Sequence, residues 1–244
     1  MLFSASILSG LFLDTLFGKH KLFSFIRNYL KSFWCIPFVC CSAIILFNFY
    51  GTSPFLFYLV HTILCFITLQ IGEIFCASTP VYEQADPHTL KETLDQLCTM
   101  YLDSSAISIL SMLIGGAPLM MIVNLIVSHV SSDSFIRQVI RYIPARLGAF
   151  FLMIVCGMLG YDFNNGRRIY QRDRKNYQSS EVGQILSVYA GALHLCFPAR
   201  QPFTIGNVNR SVVFADIPTL KHICLFSSWF MILVGCFVRL SFTL

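Results

Sequence analysis

The sequence predicts an all-α fold: a polytopic integral membrane helical bundle of four firm and two marginal spans, with amphipathic helices in its cytoplasmic loops. Three observations predict it. Of the 244 residues, 56% are apolar and only 12% charged, about half the charge of an ordinary soluble domain. Asp, Glu, Lys and Arg are missing from windows long enough to cross a bilayer core of about 30 Å, which takes about 20 helical residues. The polar stretches between these windows repeat apolar residues at three- and four-residue steps, the period of a helix.

In chain order, Met1 to Leu13 is a short apolar window, long enough to span only if Asp14 sits in the interface. With neither a basic n-region nor a small-residue cleavage site, Met1 to Phe17 is expected to be retained rather than removed as a signal. Ser32 to Gly72 lacks charge and carries "NFYGTSP" near its middle, which predicts two spans joined by a tight turn. Ser104 to Ser132 holds one span, and His222 to Val238 another that runs past Arg239, a residue able to snorkel. Leu147 to Tyr161 is the second marginal window, about 22 Å of helix.

The polar segments carry the rest. Residues 77–104 predict an amphipathic helical loop: Asp86 and Pro87 read as a helix start, and Leu90, Leu94, Leu97, Cys98, Tyr101 and Leu102 form an apolar stripe. Glu92, Asp95 and Asp103 fall on or near its polar side, either as a solvated face or as carboxylates for Mg²⁺ or for a proton. In "FIRQVIRYIPARLGAF", Pro144 suits the first turn of a helix. Arg146 then enters beside the apolar run as an interfacial anchor or an anion clamp. Residues 162–221 read as a large basic polar loop, whose "SVYAGALHL" allows close approach of a helix or a flat ligand.

The net charge is +5. Lys19, Lys21, Arg27 and Lys31 form one basic cluster and Arg167, Arg168, Arg172, Arg174 and Lys175 another, which puts both loops in the cytoplasm by the positive-inside rule. Arg137, Arg141 and Arg146 weaken that bias. Nucleic acid is excluded as a partner, since the charges flank spans rather than stripe a soluble domain. Seven of the ten Cys lie in or beside apolar runs as small hydrophobes, no Cys-x-x-Cys occurs, and no metal site is evident from Cys and His. Oligomeric state leaves no signal.

A family resemblance runs through these segments. "LDTLFG" (Leu13 to Gly18), "LDQLCTMYLDSS" (Leu94 to Ser105), "GGAP" (Gly115 to Pro118) and "YIPARL" (Tyr142 to Leu147) occur in order. "RDRKNYQSSEVGQILSVYAGAL" follows from Arg172, and then "PFTIGNVNRSVVFADI" from Pro202 to Ile217. In this order they resemble the adenosylcobinamide-phosphate synthase family of cobalamin biosynthesis (CobD/CbiB). The family's Glu-Asn pair stands here as Thr99 and Met100, its Asn and Glu in the basic loop as Glu181 and Leu186, and "IVSHVS" replaces another polar segment. The chain is thus similar to a diverged member.

The resemblance implies a bacterial inner-membrane ligase. It joins the amine of a phosphorylated aminopropanol to a carboxylate of adenosylcobyric acid, using ATP and Mg²⁺. Carried over by position, it implies Asp95, Asp103, Asp173 and Asp216 as proton- or Mg²⁺-handling groups. It implies Arg146, Arg172 and Arg210 as anion clamps, with Ser179, Gly183 and Gly191 also contacting substrate. The alternative is a catalytically disabled homologue acting as an AmpE-like regulatory or scaffolding protein. A small transporter is a third reading, opposed by the lack of mid-span charge.

Overall fold

The computed structural model describes residues 2–17, 53–68, 87–130, 134–177, 179–198, 204–207 and 210–243. The basic cluster from Lys19 to Lys31, most of "NFYGTSP", residues 77–86 and Pro202 lie outside them. The described helices are α1 (Leu2–Phe17), α2 (Pro54–Thr68), α3 (Pro87–Met100), α4 (Ser108–His129), α5 (Phe135–Met158), α6 (Phe163–Asp173), α7 (Ser180–Ala192) and α8 (Ile217–Thr243). A π-helical segment, Tyr101–Ile107, joins α3 to α4, and a 3₁₀ turn, Phe214–Asp216, leads into α8. The strand content among these residues is one antiparallel pair, Phe197–Pro198 (β1) with Thr204–Ile205 (β2). The all-α class holds.

The chain forms two compact units. The first contains α1, α2, α4 and the end of α8. α2 opens on Pro54, whose fixed φ and missing N–H suit the first helical position. It packs along α1, where Ser6 Oγ lies 2.6 Å from His61 Nδ1 and Ser9 Oγ 2.5 Å from Tyr58 OH, a polar seam inside apolar helices. α4 breaks within "GGAP": Gly116 takes φ 72°, a conformation that favours glycine.

The second unit is built around α7. Every residue from Val182 to Ala192 is buried, as expected of a short central helix that is apolar all round. Asp162 caps α6 by accepting from Asn165 N at 2.9 Å, and Ser179 caps α7 by accepting from Val182 N. Tyr189 OH donates to Leu220 O at 3.3 Å, fastening α7 to α8. Tyr101 OH donates to Gly148 O at 3.2 Å and lies 2.8 Å from Ser227 Oγ, drawing the π-helical segment, α5 and α8 together.

One expectation changes, that for Pro144; the span count is met in part, and the first span read from Ser32 onward lies outside the described residues. Among the described residues, two helices are long and apolar enough to cross a membrane, Phe135–Met158 and Phe214–Val238. α2, with 15 residues, reaches only about 22 Å, and α4 is interrupted at Gly116. Pro144 is not in a first turn: α5 begins at Phe135 and runs through it, so the short window from Leu147 is the second half of a 24-residue helix. The charge-free ruler misses this because an Arg on a helix does not end it. Segment 162–221, read as a polar loop between spans, contains α6, α7, the strand pair and the start of α8.

Candidate functional site

Nine of the ten residues singled out by sequence belong to the second unit, and Asp103 to the first. Asp103 sits in the π-helical segment, 3.0 Å from Arg137 NH2. Arg137 also donates to Val130 O at 3.3 Å. The wider turn takes Asp103 out of the register of α3, so Glu92, Asp95 and Asp103 do not form one row on a continuous α-helix.

The densest polar arrangement joins the end of α6 to the turn after β2. Arg172 Nε and NH2 each donate to Asp173, at 2.7 Å to Oδ1 and 2.7 Å to Oδ2. NH2 also donates to Gly206 O at 2.9 Å, and NH1 to Asn207 Oδ1 at 3.4 Å. Gly206 N in turn donates to Asp173 Oδ2 at 2.9 Å. These bonds to Asp173 raise the Arg172 guanidinium further. Most of its five N–H donors are committed inside the protein. Gly206 has φ 100°, and a Cβ there would overlap the Leu195 carbonyl oxygen, so the turn that Asp173 grips requires glycine.

Beyond that turn, Cys196 N donates to Arg210 O at 2.8 Å. The Arg210 side chain, 59% exposed, pairs with Asp216, whose other oxygen accepts from Val213 N at 3.0 Å. Arg210 therefore keeps much of its guanidinium towards solvent. On α3, Asp95 accepts a hydrogen bond from Tyr177 OH. Burial pushes the Asp95 carboxyl above its ordinary value, against the lowering by Tyr177 and Lys91. Burial and the Asp95 contact push the Tyr177 phenol up as well.

The remaining candidates have structural neighbours. Ser179 Oγ donates to Glu181 Oε2 at 2.9 Å besides capping α7. At Gly183 a Cβ would lie 2.8 Å from Arg174 O, and at Gly191 2.5 Å from Asn165 O and 2.6 Å from Gly166 Cα. Both glycines are where α7 meets backbone at closest approach. Arg146 is exposed on α5, with its guanidinium 4.0 Å from the centre of the Tyr142 ring.

Tyr177, Gly206, Asn207, Asn165 and Arg137 were not among the expected site residues. Only Gly206 left a usable sign, in the Gly-Asn turn of "TIGNVN". Among the described residues no three His, Cys, Asp or Glu gather as a metal site. Asp95, Asp103, Asp173 and Asp216 each have their own partner. Among the described residues these carboxylates are not gathered for a Mg²⁺ held by protein groups alone.

Several curated proteins named cobalamin biosynthesis protein CobD match the chain. That of Desulfotalea psychrophila is 30% identical over 112 residues, covering 42% of this chain and 34% of the relative. That of Listeria monocytogenes is 32% identical over 94 residues, 35% of this chain and 30% of the relative. That of Leptospira interrogans is 37% identical over 60 residues, 25% and 19% respectively. The matched part spans about a third or less of the length of these relatives. No family model and no solved structure matches. Over these parts the chain is similar to CobD proteins of cobalamin biosynthesis.

Proposed function

We propose that the chain acts in cobalamin biosynthesis as a membrane-bound ligase, forming an amide between a carboxylate of adenosylcobyric acid and the amine of an aminopropanol phosphate. The observation that carries this reading is the identity to CobD proteins of several bacteria. Exposed basic side chains along α6 and an exposed Arg210 support it.

ATP, when bound, makes the carboxylate oxygen a leaving group. The amine nitrogen then forms the C–N bond, the C–O bond to that oxygen breaks, and the nitrogen gives up a proton. Arg210 binds anionic phosphate through the guanidinium edge that Asp216 does not occupy. Arg167, Arg168 and Lys175, all exposed, add positive potential along α6. Asp95, the carboxylate that Tyr177 OH orients on α3, is assigned as the acceptor of the amine proton. Asp173 and Arg172 hold the Gly206 turn in place. No step is assigned to Mg²⁺.

Expression in a bacterium lacking its own synthase tests this. Growth on cobyric acid as the corrinoid source should be restored, and Arg210→Ala should reduce it at least tenfold. Absence of growth with the protein present in the membrane fraction would exclude the ligase reading.

A further inference from the structure

The geometry points to the first half of α5 as a membrane-surface helix. Phe135, Ile136, Val139, Tyr142 and Ile143 are seated between lipid headgroups and acyl chains, and Arg146 lies on lipid phosphate. At 100° per residue these five side chains and Arg146 fall on one stripe, while Arg137, Arg141 and Pro144 fall on the other side. The stripe is open: Phe135 is 76% exposed, Ile143 62%, Ile136 55%, Val139 54% and Tyr142 50%. The opposite side is engaged, with Arg137 bonded to Asp103 and Arg141 buried.

The headgroup layer of a bilayer suits this stripe. Water alone would leave five large apolar side chains exposed in one contiguous row, beyond what scattered surface residues need. A helix crossing the bilayer along its full length would carry Arg146 near the midplane. Arg146 is eleven residues after Phe135 and twelve before Met158, and it is exposed rather than turned into the protein. An exposed cation at that depth is costly and rare.

At the headgroup level both demands are met. The aromatic ring of Tyr142 belongs at that boundary. The Arg146 charge over its face, 4.0 Å from the centroid, is held by the ring quadrupole with N–H edges left for phosphate oxygens. An amphipathic helix with a cation beside its apolar face lies in the plane of the interface, and a chain of net charge +5 is drawn to anionic lipid. The second half of α5, Leu147 to Met158, extends about 18 Å, and buries Gly148, Ala149, Leu152, Met153, Val155 and Cys156 within the protein.

Depth-resolved quenching tests this on the whole protein in lipid nanodiscs. The chain has two Trp, Trp34 and Trp229, to be replaced by Phe. Tyr142→Trp and Ile143→Trp then each place one reporter on the stripe. Bromine atoms near the headgroups should quench both reporters at least twofold more than bromine atoms deep in the chains. Stronger quenching from the deep position would mean that the helix crosses, and no quenching from either would mean that protein or water covers the face; both overturn the inference. In phosphatidylglycerol discs, adding Arg146→Glu to the Tyr142→Trp variant should shift its indole emission to the red, and unchanged emission would remove Arg146 from lipid phosphate.

Discussion

Asp173 shows how two neighbouring residues divide one task unequally. Its side chain is 4% exposed, whereas that of Arg172 is 49% exposed, so only the carboxylate depends on the pair for solvation. Removing Arg172 leaves a buried anion with the Gly206 N–H as its remaining described donor, and breaking one side of a buried charged pair costs about 3 kcal/mol or more. Asp173→Asn instead leaves a half-exposed guanidinium that water can reach, and turns an amide N–H₂ towards one of the donors that the carboxylate served, at a cost of about 2 kcal/mol. Arg172→Ala should therefore destabilise more than Asp173→Asn, read as midpoints of thermal unfolding in one detergent. Equal losses would mean that the pair does not hold the turn. The sequence marks both residues but not their pairing. Adjacent residues on a helix do not face each other, and Arg172 reaches back to Asp173 only because α6 ends there.

At the scale of elements, the legible features were those with a period or a punctuation mark. The apolar stripe of α3 and the small residues of α7 follow from helical spacing, and the break in α4 from "GGAP". The start of α5 was illegible because Pro144 reads equally as a first-turn residue and an interior one, and tertiary packing decides between them. Pro144 and Ala145 are buried. Gly183 and Gly191 were legible as small residues, but their neighbours were not. A Cβ at Gly191 meets main-chain atoms of Asn165 and Gly166, which cannot rotate away as a side chain can. Gly191→Ala should force α6 and α7 apart and cost about 2 kcal/mol or more. Gly157→Ala is the control, since its Cβ would meet only the Phe163 side chain, no closer than 3.4 Å, an ordinary contact. Loss of the unfolding midpoint in the first variant and not in the second is the expected pattern, and equal behaviour would discount the tight α6–α7 crossing.

For the whole molecule, composition announced a helical chain with membrane character, because 12% charge cannot solvate a protein of this size as an ordinary soluble domain does. It gave less warning that the largest polar segment folds into helices and a strand pair, since Arg and Lys on an outer face conceal a buried helix behind them. That outer face makes orientation testable. Arg167, Arg168, Gln171, Arg172 and Lys175 are all exposed along α6 and the turn that follows, and the positive-inside rule predicts the cytoplasmic side for such a cluster. The described cysteines are buried or half-buried, so a cysteine placed at Gln171 becomes the most accessible thiol of that face. With Gln171→Cys, a membrane-impermeant maleimide should label the protein in broken cells, while intact cells should show no labelling above the unsubstituted protein. Equal labelling in both would place α6 outside the cytoplasm, where neither ATP nor a cytoplasmic corrinoid intermediate could reach it, and the orientation and the ligase reading would fall together.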